Sequence, residues 1–379
     1  MAIGIMQVGA APYRDETFAK CEEECGFRLV VSTFPDGMDT HPEWKYKSVK
    51  EDYVAGPAHM YSILGRKMPY NPDVRKWIRQ YTWDGLVLEG YNSLTNLYAI
   101  GYAVRHKIPI VMAMDTVTDP GHTSAKKMLH TKIGAYWVPG NRTRNFLLRQ
   151  GIPAEKIFGG KYTYNYKTLY QTVKQADRKQ LREKLGISED ATVGLFVGKL
   201  IPSRKIGALL QALEAVDDPE FRMILIGDGP EQQKVLECGD PRIIHIPSVP
   251  LADLYSYYAV SDLYVHPGEE PYSLALVQAV VAELVVVSSD GVGASDDVIR
   301  EGENGYVFPN GDVSGLKNAL AASVKNLAVL KAGAEKMSRF IREKRSIEAA
   351  ARELSAAIAY AQGRVDAQGT VRDSYWSEP

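Results

Sequence analysis

The chain has 379 residues, of which 45% are hydrophobic and 24% charged, and its formal net charge at pH 7 is -1. Such a length exceeds what one hydrophobic core ordinarily supports, so two domains are expected, and the near-zero charge excludes a whole-protein drive towards nucleic acid. Its 3 cysteines exclude a disulfide framework, no basic segment leads into an apolar run as in an ordinary signal peptide, and no stretch reaches the roughly 18 apolar residues of a membrane span. The expected setting is reducing and cytoplasmic.

Charge is uneven along the chain. Through Asn165 there are 21 Lys and Arg against 16 Asp and Glu, so that part is net +5 and the remainder -6. A mildly basic first part suits an anionic acceptor or a peripheral site on the inner face of a membrane; scatter over solvated faces accounts for it equally. Cys21 and Cys25 share a predicted helix face but lack the partners a metal site needs. No metal is expected.

The first elements alternate. AIGIMQVG reads as a strand, DETFAKCEEEC as a helix and FRLVVST as a strand. Residues 42–72 read as irregular and Tyr/Lys-rich, and VRKWIRQY as a helix. DGLVLEG and IPIVMAMD read as strands on either side of the helix NLYAIGYAVRH, and AYWVPG follows as another strand. TRNFLLRQG closes the series as a helix stopped at Gly151. Continuous apolar strands separated by helices predict a parallel sheet covered on both faces.

Residues 166–190 read as a polar linker and a first helix. A second strand–helix series then runs from TVGLFVG to GYVF, and SIEAAARELSAAIAYAQ is an amphipathic helix with Ser346 at its N-cap. The expected division is 1–165, with a C-terminal helix at about 360–379 packing back on it, and 166–359. Two doubly wound domains in tandem predict a ligand cleft between the carboxyl edges of their sheets.

Chemistry concentrates in the second domain. FVGKLIPSRKIGALLQAL places Gly198, Lys199 and Arg204 between a strand end and a helix. A glycine there permits close backbone approach, and the cations suit a diphosphate; two solvated cations around a turn are the bland alternative. Further on, HPGEEPYSLALVQAVVAE sets Glu270 just before an apolar helix opened by Tyr272, Ser273 and Leu274. Free amides at a helix start bind phosphate oxygens. As a cap alone, Glu270 would contribute ~1 kcal/mol. Gln278 is an amide in an otherwise apolar helix, and a buried amide needs partners, which a ligand's ribose hydroxyls would supply.

These segments, with GDGPE, HIPSVPLADLYSYYAVSDLYVHP and SSDGVGASDDVIREGENGYVF, resemble the family 4 glycosyltransferases over roughly residues 193 to 310. The resemblance implies the GT-B fold: two doubly wound, Rossmann-like α/β domains with an interdomain cleft. It implies a retaining, metal-independent transferase that takes a sugar from a nucleoside-diphosphate sugar, UDP- or GDP-linked, with no other cofactor. It assigns Glu270 to the sugar hydroxyls, Lys199 and Arg204 to the diphosphate, the Ser273 and Leu274 amides to its oxygens, and Val249 to the base. Gln278 stands where the family has a second glutamate on the ribose; its carbonyl oxygen can still accept from ribose hydroxyls.

The first domain matches less closely. VGAAPYRDE replaces the usual Gly-Gly, and Asp115 stands where many members have a histidine. The resemblance puts Asp115 near the transferred sugar or the attacking hydroxyl, with a helix cap or turn former as the alternative. Arg14, Glu89, Tyr91 and Asn92 follow strand ends and are acceptor-contact candidates. His122 and His266 read as surface or turn residues. KKMLHTK and WKYKSVK suit a lipid-linked or membrane-surface acceptor, or plain solubility. The implied partners are a nucleotide-sugar donor and a sugar, lipid-linked or small-molecule acceptor, in polysaccharide, glycoconjugate or natural-product biosynthesis. Two rivals remain: a degenerate, noncatalytic nucleotide-sugar binder, and a GT-B nucleotide-sugar epimerase. No oligomeric state follows from the sequence.

Overall fold

The computed structural model describes residues 2–9, 11–35, 50–63, 65–115, 128–365 and 374–376. The chain divides into two compact units, Met1–Asn165 with Arg345–Ser377, and Tyr166–Lys344.

In the first unit a 7-stranded sheet has the order β3-β2-β1-β6-β7-β8-β9. Its strands are β1 (Ala2–Gln7), β2 (Arg28–Thr33), β3 (Glu51–Val54), β6 (Gly85–Glu89), β7 (Ile110–Ala113), β8 (Ala135–Trp137) and β9 (Ile157–Phe158). β4 (His59–Ile63) and β5 (Arg66–Tyr70) form a separate antiparallel hairpin. All pairings in the main sheet are parallel. Alternation of side chains splits the core in two. Ile3, Ile5 and Val31 pack on one face with Phe18, Leu354 and Ile358. Met6, Val30, Leu86 and Leu88 pack on the other with Trp77 and Ile100. Both faces are dry, which is why these strands read as unbroken apolar runs.

The second unit holds a 6-stranded parallel sheet, β12-β11-β10-β13-β14-β15. Its strands are β10 (Val193–Val197), β11 (Arg222–Ile226), β12 (Ile243–Ile246), β13 (Leu263–His266), β14 (Val285–Ser289) and β15 (Gly305–Phe308). Each sheet therefore reverses its winding once, between β1 and β6 in the first unit and between β10 and β13 in the second. In a sheet of this kind ligands bind outside the carboxyl ends of the strands at that reversal.

Three expectations change. Residues 42–72 are not irregular throughout: β3 extends the sheet beyond β2, where Asp52 accepts a hydrogen bond from the Val31 amide at 2.9 Å. The β4–β5 turn is opened by Gly65 at φ 77. Their alternation was hidden because every residue of β4 is exposed. The returning helix is Ile347–Ala361, not 360–379, and the second boundary falls at Arg345 rather than near 360. Its N-cap is Ser346, as its sequence predicts, accepting from the Ala349 amide. The apolar face of that helix lies on the Ile3/Ile5 side of the first sheet, and its Glu353 accepts from the Gly159 amide at 2.7 Å. Gly363 at φ 68 follows its end.

Gly227, at φ +145, lets the loop after β11 touch the loop after β10: a Cβ there would lie 1.9 Å from the Gly198 carbonyl oxygen. Gly227→Ala should therefore cost ~2 kcal/mol or more, through both strain and clash. Gly101→Ala, inside a helix with nothing within 4 Å of the added atom, should be neutral or stabilising. Guanidinium unfolding of the two variants beside the parent checks the contrast.

Candidate functional site

The reversal in the second unit gathers the loops that follow β10 and β13. Gly268 is required by that meeting, since a Cβ on it would lie 2.1 Å from the Ser203 carbonyl oxygen. The Glu269 amide donates to that same oxygen at 2.8 Å. The loop after β14 adds two bonds, Glu270 N–H to the Gly291 carbonyl at 3.2 Å and Gly293 N–H to the Glu270 carbonyl at 2.9 Å. Three loops thus fix the backbone of Glu270.

Its side chain is fixed as well. Arg204 Nη2 meets Oε1 at 2.9 Å, and Arg204 Nη1 donates to the Glu269 carbonyl. His266 Nε2 meets Oε2 at 3.0 Å. Burial pushes the Glu270 carboxyl up, but the hydrogen bond with His266, the Arg204 guanidinium and the Ser273 hydroxyl outweigh it and hold it below the usual carboxylate range. Ser273 sits at φ 86, an uncommon conformation for a non-glycine residue, and its hydroxyl caps the Leu274–Val281 helix by accepting from the Leu276 amide.

The other donor-side candidates occupy the same unit. Gly198 and Lys199 follow β10 directly; Lys199 is exposed, with no ion pair among the described residues. Tyr272 is buried, Leu274 half-buried at the helix start, and Val249 half-buried between β12 and the Leu251–Val260 helix. Gln278 is buried, and its carbonyl oxygen accepts from the Tyr258 hydroxyl at 3.2 Å. The oxygen that sequence reserves for a ribose hydroxyl therefore already has a partner inside the protein.

His266 departs furthest from expectation. It is 1% exposed, at the end of β13, rather than a surface or turn residue. It is buried because β13 is flanked by β10 and β14, a consequence of strand order that His-Pro-Gly does not show locally.

In the first unit the reversal between β1 and β6 carries a second polar cluster. Arg14 Nη2 meets Glu89 Oε1 at 2.8 Å, and the Val8 amide donates to Glu89 Oε2 at 3.0 Å. Lys161, 4% exposed, lies 3.4 Å from both Glu89 Oε1 and Asp115 Oδ2. The Tyr162 hydroxyl donates to Asp115 at 2.5 Å. The chain thus brings Arg14, Glu89 and Asp115 together through Lys161, a residue that sequence reasoning missed because KYTYN follows the last short strand without a motif. Of the other two candidates, Tyr91 packs its ring against His130, and Asn92 is exposed. His122, nearly all of WKYKSVK and the first part of KKMLHTK lie outside the described residues. Among the described residues no group of three or more His, Cys, Asp or Glu is placed to hold a metal ion, and no helix is long and apolar enough to cross a membrane.

The two doubly wound parallel sheets, each with polar side chains at its point of reversal, are those of the GT-B fold. Solved structures agree. A glycosyltransferase from Rickettsia africae superposes with a TM-score of 0.75 at 14% identity, over 96% of this chain and 99% of that one. Anabaena HepE in complex with UDP superposes with a TM-score of 0.70 at 17% identity, over 94% and 99%. Residues 177–346, which make up most of the second unit, match the family described as glycosyl transferases group 1. Among curated relatives, a phosphatidyl-myo-inositol mannosyltransferase of Mycobacterium leprae is 32% identical over 157 residues, 38% of this chain and 42% of that protein. An alpha-monoglucosyldiacylglycerol synthase of Acholeplasma laidlawii is 28% identical over 180 residues, 41% and 45%. The match spans less than half the length of these relatives.

The cluster in the first unit makes a pH prediction. Burial pushes the Glu89 carboxyl up, yet Arg14, Lys161 and the Val8 amide outweigh it and hold it down to about 2, against 4.5 ordinarily. Its stabilisation, at most ~3 kcal/mol, is present above pH ~4.5 and is lost as pH falls towards 2, because the unfolded chain takes up a proton there that the folded chain refuses. Acid unfolding followed by tryptophan fluorescence should show this slope in the parent. In Glu89→Gln the slope should flatten.

Proposed function

We propose that the protein is a retaining, metal-independent glycosyltransferase that moves a sugar from a nucleoside-diphosphate sugar to an acceptor hydroxyl. The observation that carries this is the Arg204–Glu270 pair at the reversal of the second unit, whose residues 177–346 match the group 1 family. Cations and free amides at a helix start are suited to the charge that develops on a departing diphosphate. The C1–O bond to the β-phosphate breaks with its electron pair going to the phosphate. The acceptor oxygen bonds C1 on the same face, and its proton passes to the diphosphate. Glu270 orients the sugar through its hydroxyls.

UDP fits as the nucleotide through HepE, solved with UDP, and the related lipid-modifying enzymes favour a lipid-linked or inositol-like acceptor. Arg14, Glu89, Asp115, Tyr91 and Asn92 are the proposed acceptor contacts on the first unit. A cytoplasmic protein, peripheral on a membrane, fits such an acceptor.

Thermal shift and hydrolysis across a panel of UDP- and GDP-sugars tests the reading. One donor should stabilise the protein and be hydrolysed slowly, in EDTA as well as without it. Lys199→Ala and Arg204→Ala should each lose most turnover, on the order of 100-fold for a charge-assisted contact to the leaving group. Wild-type rates in both, with every donor, would sink the diphosphate assignment. Interconversion of donors without an acceptor would indicate an epimerase instead, and donor binding without any turnover a degenerate binder. Gln278→Glu should retain or tighten donor binding, since a carboxylate accepts the Tyr258 hydroxyl as an amide does; a large loss of affinity would assign the amide a different ribose contact or a purely structural role.

A further inference from the structure

We propose that His266 is a positioning residue for Glu270, setting the plane of its carboxylate towards the donor sugar. This rests on the reading that Glu270 faces that sugar, and it adds a residue that neither the family resemblance nor the relatives assign.

A glutamate that reads sugar hydroxyls discriminates by orientation, and three side-chain torsions must be fixed before it does so. Arg204 holds one oxygen, Oε1, at 2.9 Å. Arg204 alone leaves the carboxylate able to turn about its last bond, and the Ser273 hydroxyl, the third partner, is itself committed to capping the helix that follows. His266 holds the other oxygen, Oε2, at 3.0 Å, and two anchors on different oxygens remove that rotation. The anchors come from different places: Arg204 from the loop after β10, His266 from the last position of β13, where the backbone pairs with Ser288 of β14. Arg204 is also the residue proposed to meet the diphosphate, so its share in Glu270 varies with the charge on the leaving group. His266 is 1% exposed and is proposed for no contact with the diphosphate.

The imidazole itself has little freedom. Phe196 of β10 meets its ring edge to face, with centroids 6.0 Å apart and planes at 64°. Its Nδ1 is buried, with no hydrogen-bond partner among the described residues. A buried N–H without an acceptor is costly, so the geometry assigns the ring proton to Nε2, where it points at the carboxylate. Among the described residues the ring's hydrogen-bonding contact is with Glu270. A leucine of similar size would fill this apolar surround at least as well, so packing alone does not account for the histidine.

The test uses His266→Gln, His266→Asn and His266→Leu in the full chain, with thermal midpoints as the folding control. A glutamine amide nitrogen reaches roughly as far as Nε2; an asparagine nitrogen reaches only as far as Nδ1. Binding of UDP and UDP-glucose, and of GDP and GDP-mannose, is measured for each. Hydrolysis is measured for the preferred donor. His266→Leu and His266→Asn should lose roughly tenfold or more in hydrolysis and in the preference for the sugar-bearing nucleotide, with affinity for the bare nucleotide unchanged. His266→Gln should recover most of both. In a Glu270→Gln background His266→Leu should add nothing, which a merely structural histidine would not produce. If wild type prefers the nucleotide sugar and His266→Leu keeps that preference, the proposal for His266 fails alone. Equal losses in the Leu and Gln variants would also overturn it. If wild type binds neither nucleotide nor nucleotide sugar, both this proposal and the reading it rests on fall.

Discussion

The Arg204–Glu270 ion pair ties together the loops that leave β10 and β13, and most of the second unit's polar end follows from it. At a reversal of winding, successive strands send their connections to opposite faces of the sheet, and no helix closes the gap between them. Loops meeting there need their own polar partners. Here the backbone supplies part of the answer, with Gly268 stripped of a Cβ so that Ser203 can come within reach of the Glu269 amide. The ion pair supplies the rest. A carboxylate as covered as Glu270 is costly unless each oxygen is met, and Arg204, His266 and Ser273 meet them. The arrangement that stabilises the loop is the same one that fixes a carboxylate and a guanidinium at the sheet's carboxyl edge.

The first unit solves the same problem with a different set. Between β1 and β6, Arg14 and Glu89 play the parts of cation and carboxylate, and the buried Lys161 joins Glu89 to Asp115. Lys161 could not sit there alone. Its ammonium is balanced by two carboxylates and lies over the Tyr162 ring at 4.6 Å. The outcome is a cluster in which Asp115 is the most open member, with 35% of its side chain exposed, and Lys161 the least. Groups that reach solvent can meet a ligand; those beneath them set where they point.

How much of this was legible in the sequence depended on the range of the interactions. Apolar runs such as GLVLE and VGLFV declare buried parallel strands because both faces of the sheet are dry, and the Ser346 cap is a local contact three residues long. Arg204 and Glu270 were legible as a motif. Their bond to each other, across 66 positions, was a consequence of strand order. β3 and the β4–β5 hairpin were missed because an edge strand and an exposed hairpin carry no apolar pattern. Lys161 was missed for a related reason: nothing beside it in the chain gives it a role, and its partners Glu89 and Asp115 arrive from β6 and the end of β7. His266 shows the limit most sharply, since His-Pro-Gly is turn chemistry locally and a buried strand end globally.

Gln278 draws its meaning from the same distinction between local pattern and packed surroundings. By motif it is a glutamate replaced by an amide, which reads as a weakened ligand contact. In the fold it lies between apolar neighbours on the Leu274–Val281 helix, and the Tyr258 hydroxyl that reaches its carbonyl oxygen also lies 3.3 Å from the Ala275 carbonyl. One hydroxyl proton serves two acceptors there. Glu270 has the Arg204 guanidinium beside it, whereas Gln278 meets the neutral Tyr258 hydroxyl. An amide satisfies that hydroxyl without carrying a charge of its own, and a carboxylate would accept from it as well. The replacement is therefore consistent with a unit that concentrates its charge at the first position of the motif and leaves the second to hydrogen bonding alone.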